Sequence, residues 1–225
     1  MIEAGVRPIE PGRGDPVAAD PSAAFVARFD EWAGGVSTAA ARPFVFVDKD
    51  GTLIEDLPYN VDPRRVRLVQ GTETAIELFA RAGLPLAICS NQSGVARGYY
   101  TLRELALLAD HLHDEVEARG GRLAAMYACP HLPSATGPWA IVCDCRKPAT
   151  GLLRMAAAEL GADLSRSWMI GDTWMDVAAG RAAGCRAILV GPEWRTAASL
   201  PETRRPDFAV PDLLSAARIV TGSAS

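Results

Sequence analysis

Two aspartates at the end of an apolar run are the first residues in this sequence that could do chemistry. The stretch VFVDKDGTLI starts like a buried strand and then presents Asp48 and Asp50, with Gly51 directly after them. A buried carboxylate without a partner is costly to desolvate, so two of them at a strand end indicate a bound cation. The alternative is a plain turn, since Asp and Gly are ordinary turn residues.

Three further polar residues are predicted to lie near this pair. Ser90 ends the apolar run LPLAIC, Asp172 follows the run WMIG, and Lys147 lies in the segment CRKP. The carboxyl ends of parallel strands share one rim of a sheet, and ligands bind there. Asp48 and Asp172, with the backbone nearby, therefore offer the hard oxygen ligands that Mg²⁺ prefers.

This set of side chains suits phosphoryl transfer. A carboxylate left partly free by the metal can attack phosphorus and form an aspartyl-phosphate, because the metal screens the charge repulsion. Ser90 and Lys147 would supply a hydrogen bond and a positive charge to the equatorial phosphate oxygens. Asp50 is placed to protonate the leaving alkoxide and later to deprotonate water. Gly51 allows the sharp turn that faces both carboxylates to the site.

A second cluster has the composition of a metal site. The segments CPH and CDC, separated by eleven residues, carry Cys129, His131, Cys143 and Cys145. Three thiolates and an imidazole make a closed structural zinc site, although these spacings are tighter than the usual CxxC. Three reduced cysteines in a loop are the alternative. Because Cys145 lies two residues before Lys147, a zinc ion would fix the loop that positions the lysine side chain.

Apolar runs alternate with segments of helical period through most of the chain. Strands are predicted at 44–47, 84–90, 123–130, 168–172 and 186–191, and helices at 72–83, 101–121, 151–160 and 175–184. This alternation predicts an α/β fold with a doubly wound, mostly parallel sheet, right-handed crossovers and helices on both faces.

One folded domain is predicted, over residues 42–216. Residues 1–41 are expected to form a flexible leader, because the first twenty are rich in Pro, Gly and Asp and poor in large apolar side chains. Within this leader, residues 23–33 (AAFVARFDEWA) have helical spacing and are predicted to form a short helix. Residues 217–225 are expected to form a flexible tail.

The composition excludes several function classes. The 225 residues are 49% apolar and carry a net charge of −4, so they can build one sizeable core and give no reason to expect nucleic acid or an anionic membrane as partner. No apolar run approaches the roughly 20 residues of a membrane helix, and the N-terminus lacks a signal-peptide pattern. We therefore expect a cytoplasmic protein, and a monomer.

The motifs resemble the four-motif signature of the haloacid dehalogenase (HAD) superfamily of phosphatases. DKDGT, a strand-terminal serine, the lysine of CRKP and GDTWMD follow one another in the family's order within residues 44–191. The resemblance implies that Asp48 is the nucleophile and Asp50 the acid/base. It also implies that Mg²⁺ is held by the side chains of Asp48 and Asp172 and by the backbone carbonyl of Asp50, with Asp176 as an outer-shell support.

Two longer segments narrow the resemblance. CPH…CDCRKP and SNQSGVARG are similar to those of the heptose 1,7-bisphosphate phosphatases in the histidinol-phosphatase-like branch, which remove the 7-phosphate during nucleotide-activated heptose synthesis. This implies a capless HAD-type, Rossmann-like domain with catalytic Mg²⁺, a structural Zn²⁺ loop and a sugar bisphosphate substrate. Matching positions imply substrate contacts from Asp56, Tyr59, Asn91, Gln92, Ser93 and Arg146, the last of these for the second phosphate.

Departures from the family pattern keep alternatives open. Thr173 stands where the family usually has lysine, and Ser90 where it usually has threonine. Without a cation at residue 173, the sequence leaves open which substrate the protein uses and which anomer it prefers. Histidinol phosphate or another small phosphate monoester is the nearest alternative. A nucleic-acid end phosphatase fits the acidic balance poorly, and a catalytically silent scaffold fits poorly with the complete set of motif residues.

Overall fold

The computed structural model describes residues 20–29 and 41–223 of the chain. The strands within these residues are β1 (Phe25–Arg28), β2 (Val45–Val47), β3 (Leu86–Asn91), β4 (Leu123–Cys129), β5 (Trp168–Gly171), β6 (Arg186–Leu189) and β7 (Phe208–Ala209). The α-helices are α1 (Thr72–Arg81), α2 (Leu102–Glu117), α3 (Gly151–Leu160), α4 (Trp174–Ala183) and α5 (Leu213–Thr221). Short 3-10 helices span Pro63–Arg65, Leu164–Arg166, Pro192–Ser199 and Glu202–Arg204.

The strands form one seven-stranded sheet in the order β1-β4-β3-β2-β5-β6-β7. All neighbours from β4 to β7 pair in parallel, whereas β1 is antiparallel to β4. The predicted doubly wound, mostly parallel sheet is confirmed. The described chain carries no inserted domain between β2 and α1, where a single 3-10 helix lies, or between β3 and β4, which α2 connects.

Helices cover both faces of the sheet. On one face, α1, α2 and α5 contribute the apolar side chains of the larger core cluster. On the other face, α3 and α4 pack over a second cluster that includes Phe44 and Phe46. The central strands are therefore buried on both sides, and their continuous apolar sequences are typical of parallel strands.

A capping box formed by Thr101 and Glu104 starts α2. Thr101 Oγ1 accepts a hydrogen bond from the Glu104 N–H at 3.2 Å, and Glu104 Oε2 accepts one from the Thr101 N–H at 2.7 Å. This reciprocal capping box satisfies two backbone donors that the helix cannot satisfy itself. It fixes the start of α2, which crosses from β3 to β4.

The helix predicted over residues 23–33 is wrong where the structure describes that segment, because Phe25–Arg28 form β1. Phe25 and Ala27 pack against the larger core cluster, and Val26 packs against the second one. This alternation has the period of a strand. Pairing with the edge of β4, which is distant in sequence, decides the conformation over the local helical spacing.

The domain boundaries differ from those expected. α5 continues to Thr221, so the prediction of a flexible tail from residue 217 is wrong through that residue. Neither β7 nor α5 follows from the apolar pattern that predicts a last core strand at 186–191. Residues 1–19 and 30–40 lie outside the described residues, and the flexible leader there stays a prediction. Among the described helices, none combines the length and apolar character needed to cross a membrane.

Candidate active site

Three carboxylates meet where β2 and β5 end. Asp48 directly follows β2, Asp172 directly follows β5, and Asp176 lies in the first turn of α4. The strands are parallel neighbours, and the Asp48 N–H donates to the Ile170 carbonyl at 2.9 Å. One oxygen from each carboxylate lies within 4.8 Å of the other two. The parallel pairing thus brings together side chains that lie more than a hundred residues apart in sequence.

Gly51 allows this close approach. Its φ of +74° lies in the left-handed region that favours glycine, and a Cβ at this position would lie 2.4 Å from Asp172 Oδ2. A side chain here would therefore strain the backbone and displace a carboxylate of the cluster. The glycine of the motif is required for two independent reasons.

The carboxylate cluster fits a magnesium ion. Asp172 Oδ1 is buried and has no hydrogen-bond partner among the described residues. Burial, and then the nearby charges of Asp48 and Asp176, raise the pKa of Asp172 to about 7. A divalent cation would give the orphaned oxygen a partner and neutralise the repulsion, and carboxylate oxygens are its preferred ligands. The role implied for the Asp50 backbone carbonyl stays a prediction.

Lys147 is buried beside the same carboxylates. Its Nζ lies 3.0 Å from Asp48 Oδ1, donates to the Cys89 carbonyl at 2.7 Å, and also pairs with Asp176 Oδ1. Burial acts to lower the pKa of Lys147, but the charges of Asp176 and Asp48 outweigh it and raise that pKa. The lysine is therefore charged, and it is held between two carboxylates.

Asn91 fixes the backbone of Lys147. Its Nδ2 donates to the Lys147 carbonyl at 3.0 Å, and its Oδ1 accepts from the Lys147 N–H at 2.9 Å. The implied role of Asn91 was contact with substrate. The structure instead commits its amide to the loop that carries the lysine, although Asn91 also lines the neighbouring cavity.

Asp50 is held by two donors. Lys49 Nζ lies 3.0 Å from Asp50 Oδ1, and Gln92 Nε2 donates to Asp50 Oδ2 at 2.9 Å. Burial raises the pKa of Asp50, and the positive charge of Lys49 opposes that rise. A raised pKa suits a carboxyl group that must donate a proton.

Gln92 connects Asp50 to two further side chains. Its Nε2 also donates to Ser90 Oγ at 2.9 Å, and its Oε1 accepts from the Tyr100 hydroxyl at 2.6 Å. Ser90, Gln92 and Tyr100 are 1%, 3% and 4% exposed, so these contacts are almost shielded from water.

A cavity of about 290 Å³ opens beside Asp50. Five of the side chains implied as substrate contacts line it, namely Asp56, Tyr59, Asn91, Gln92 and Ser93. Tyr59 packs edge-on against Tyr99, with ring centroids 4.5 Å apart. Arg146 is not among the described residues that line the cavity, and its guanidinium donates to the His131 carbonyl at 3.2 Å. The role implied for Arg146 at the second phosphate stays a prediction.

The four implied zinc ligands also form one cluster. Cys129 Sγ lies 3.6 Å from Cys143 Sγ and 3.5 Å from His131 Nδ1, and Cys145 Sγ lies 3.2 Å from both. A tetrahedral site with zinc–sulfur bonds of about 2.3 Å has ligand atoms about 3.8 Å apart, so a small expansion accommodates the ion. Without the ion, the hydrogen bond from Cys145 is the main cause that lowers the pKa of Cys129 to about 6, and the same contact raises the pKa of Cys145.

The second nitrogen of His131 orients the imidazole. With Nδ1 towards the sulfurs, Nε2 carries the hydrogen and donates to the Pro21 carbonyl at 2.8 Å. Metal-bound histidines commonly have such a partner, which fixes the ring and its tautomer. Pro21 precedes β1, so the thiol cluster is tied to the edge strand.

Comparison with known proteins identifies relatives of the chain. A model of HAD-hydrolase-like proteins matches residues 144–216. A D-glycero-D-manno-heptose-1,7-bisphosphate 7-phosphatase from Thermosynechococcus vestitus is 36% identical over 185 residues, which cover 78% of this chain and 93% of the relative. The chain belongs to this family of HAD-like phosphatases. It is accordingly a phosphoric monoester hydrolase.

Two further comparisons agree. A D-glycero-beta-D-manno-heptose-1,7-bisphosphate 7-phosphatase from Pseudomonas aeruginosa is 34% identical over 151 residues, covering 67% of this HAD-like phosphatase and 82% of the relative. The crystal structure of D,D-heptose 1,7-bisphosphate phosphatase from B. bronchiseptica, complexed with magnesium and phosphate, aligns with a TM-score of 0.69 and 30% identity, over 81% of this chain and 99% of that one.

Thr173 has a structural role in this HAD-like phosphatase. Its hydroxyl donates to Asp176 Oδ2 at 2.6 Å, its N–H donates to the same oxygen at 3.1 Å, and the pair caps the start of α4. Asp176 is thereby held between Lys147 and Thr173. This arrangement agrees with an outer-shell position for Asp176, although its carboxylate lies in the same acidic cluster as Asp48 and Asp172.

Sequence reasoning missed two residues of the site. Lys49 is 1% exposed and pairs with Asp50, and Tyr100 holds Gln92. The position of Lys49 between two aspartates was a usable signal, because a cation there lowers the cost of burying them. No local pattern marked Tyr100, which lies at the end of a turn before α2.

Proposed function

We propose that this HAD-like phosphatase removes the 7-phosphate of D-glycero-D-manno-heptose 1,7-bisphosphate through an aspartyl-phosphate. The observation that carries the proposal is the cluster of Asp48, Asp172 and Asp176 with Lys147, next to a polar cavity beside Asp50. The names of the relatives support this substrate.

Magnesium would be held by Asp48 and Asp172, with the backbone carbonyl of Asp50 as a third ligand. When bound, it neutralises the negative charge of the phosphate and lets a carboxylate approach. The orphaned Oδ1 of Asp172 and the raised pKa of that residue support the assignment.

Asp48 is the nucleophile in this proposal. Its Oδ1 accepts from the Lys49 N–H at 2.7 Å and lies 3.0 Å from Lys147 Nζ, so its orientation is fixed before substrate binds. Attack forms the bond from Asp48 to phosphorus while the bond from phosphorus to the sugar oxygen breaks. Lys147 and Ser90 stabilise the charge on the remaining phosphate oxygens.

Asp50 moves the proton in both halves of the reaction. It donates to the sugar oxygen as that oxygen leaves, and the resulting carboxylate then takes a proton from the water that hydrolyses the aspartyl-phosphate. The reaction releases inorganic phosphate and restores Asp48. The position of Asp50 beside the cavity supports its role as proton donor, because the leaving sugar would occupy that cavity.

The remaining assignments concern the rest of the substrate and the zinc ion. Asp56, Tyr59 and Ser93 are proposed to contact the sugar, because they line the cavity. Zn²⁺ is proposed at Cys129, His131, Cys143 and Cys145, as a structural ion without an open position. The cytoplasmic location, the monomeric state and the absence of a nucleic-acid partner stay predictions.

The test is phosphate release from the α and β anomers of heptose 1,7-bisphosphate and from histidinol phosphate, in parallel and with Mg²⁺. Asp48→Asn serves as the blank, because it keeps the shape of the site and removes the nucleophile. We expect turnover of a heptose anomer by the wild type and none by the variant. Faster turnover of histidinol phosphate would overturn the substrate, and equal rates for wild type and variant would overturn the mechanism.

A further inference from the structure

A buried row of hydrogen bonds leads from Tyr100 to the proton donor of the proposed reaction. The Tyr100 hydroxyl contacts Gln92 Oε1 at 2.6 Å, and Gln92 Nε2 contacts both Asp50 Oδ2 and Ser90 Oγ at 2.9 Å. Tyr100 itself is two contacts away from Asp50. Its ring nevertheless helps to line the cavity.

The chemistry of these groups sets the direction of each hydrogen bond. In the step in which Asp50 takes a proton from water it is an ionised carboxylate and only accepts, so the NH₂ end of the Gln92 amide must face Asp50 and the amide oxygen must face Tyr100. The amide oxygen cannot donate, so the Tyr100 hydroxyl must. One amide hydrogen then goes to Asp50 and the other to Ser90. Because Ser90 Oγ accepts from Gln92, its own hydrogen is free to point to a phosphate oxygen.

We propose that Tyr100 is a positioning residue that acts through Gln92 on Asp50 and Ser90. It fixes the amide in the one orientation that aims the Asp50 carboxyl at the leaving oxygen and the Ser90 hydroxyl at the phosphate. This assignment rests on the proposed function, in which the Asp50 proton moves to the sugar oxygen as the bond to phosphorus breaks. Gln92, implied as a substrate contact, is assigned to this positioning as well.

The packing of Tyr100 supports the assignment. A Cβ on Gly94 would lie 2.1 Å from Tyr100 Cε1, so the ring lies directly against the backbone of the segment that follows Gln92. Phenylalanine can occupy the same place. Tyr100→Phe therefore removes the hydroxyl, with the hydrogen bond that it donates to Gln92 and its contact with the Gly94 backbone, and keeps the contacts of the ring.

The experiment compares two leaving groups. A sugar alkoxide needs the proton of Asp50, whereas the nitrophenolate of p-nitrophenyl phosphate leaves without one. We expect Tyr100→Phe to lower kcat/KM for heptose 1,7-bisphosphate about tenfold and kcat/KM for p-nitrophenyl phosphate clearly less. The ratio kcat/KM is the right quantity because it reports the transfer of the phosphoryl group to Asp48, whereas both substrates share the later hydrolysis, in which Asp50 acts as base. Equal losses on both substrates, or no loss on either, would overturn the assignment.

A double substitution tests whether Tyr100 acts through Gln92. Gln92→Met keeps the length of the side chain and removes every hydrogen bond of its amide, so it should lower kcat/KM for the sugar phosphate at least as much as Tyr100→Phe. Adding Tyr100→Phe to it should lower kcat/KM no further, because the tyrosine then has nothing to position. Losses that multiply would show an independent role for Tyr100 and overturn the inference.

Two controls separate this inference from the proposed function. Tyr127→Phe removes another buried tyrosine hydroxyl, which donates to Glu159 at 3.0 Å, and it should leave the ratio of the two substrate rates unchanged. The wild type against Asp48→Asn tests the proposed function by itself. An inactive wild type would overturn both, whereas an active wild type with an unchanged ratio in Tyr100→Phe overturns only the role of Tyr100.

Discussion

Replacing Asp172 by asparagine should stabilise the metal-free protein and abolish its stabilisation by magnesium. The pKa of Asp172 rises from its ordinary 3.8 to about 7 in the fold, chiefly through burial. Because the folded pKa lies above the unfolded one, this carboxyl group favours folding less as the pH rises from about 4 to about 7. Above about pH 7 the folded metal-free protein contains the ionised carboxylate and bears the full free-energy cost of burying it. Asp172→Asn removes that cost.

The size of the effect follows from the shift in pKa. A factor of ten in proton binding is worth about 1.4 kcal/mol, so the rise to about 7 corresponds to about 4 kcal/mol at about pH 8. At about pH 5 Asp172 is still mostly protonated in the folded protein, and the free-energy cost of burying it is below about 2 kcal/mol. The difference in stability between variant and wild type should therefore fall by about half or more between these pH values.

Urea unfolding in buffer passed over a chelating resin measures this difference at both pH values, with and without added magnesium. Comparing variant with wild type at each pH cancels the titration of the carboxylates that are distant from Asp172. Asp48 and Asp176 lose a neighbouring negative charge in the variant, which adds to its stabilisation. Magnesium should raise the unfolding free energy of the wild type and leave that of the variant unchanged, because the variant lacks one ligand. A variant that magnesium still stabilises, or a difference that does not depend on pH, would refute the reasoning.

Three further predictions concern the supports of the site. Gly51→Ala should lower kcat at least about 100-fold and weaken magnesium activation, because the added Cβ would displace Asp172. A magnesium titration of phosphate release measures both quantities, and unchanged activation would contradict the prediction. Thr173→Val should cost about 1 kcal/mol in urea unfolding, because the buried Asp176 carboxylate loses the hydrogen bond from the Thr173 hydroxyl. Thr173→Ser keeps the hydroxyl and should cost clearly less, and equal costs would exclude this hydrogen bond as the cause. Removal of the proposed zinc ion should speed hydrogen exchange of the Phe25–Arg28 amides, because zinc then no longer fixes the imidazole that donates to Pro21. Unchanged exchange would show that β1 is held independently of the cluster.

The convergence of the motif residues could be predicted because it follows from sheet geometry. Asp48, Ser90 and Asp172 each end or follow a strand of a parallel sheet, so one rim collects them whatever the side chains between them. Helices α1 to α4 could be predicted to within a few residues for a related reason, whereas α5 was missed. Their apolar periodicity and caps, such as Thr101 with Glu104, are local signals.

The missed features depend on contacts between distant parts of the chain. β1 forms because residues Phe25–Arg28 meet the edge of β4, about a hundred residues later, and the local spacing gave the opposite prediction. The hydrogen bonds of Asn91 and Arg146 are a similar case. Their partners, the Lys147 backbone and the His131 carbonyl, depend on how distant segments of the chain fold together.

Lys147 connects the carboxylate cluster to the loop that carries Cys143 and Cys145 of the thiol cluster. Its ammonium group is held between Asp48 and Asp176, at the end of a flexible four-carbon chain. Its backbone is held by Asn91 on one side, and Cys145 anchors the loop two residues before it. A side chain that is fixed at both ends has little rotamer entropy left to lose when a phosphate binds. In the proposed mechanism a zinc ion would therefore assist phosphoryl transfer without contacting the substrate, because it fixes the position of the cation before the phosphate arrives.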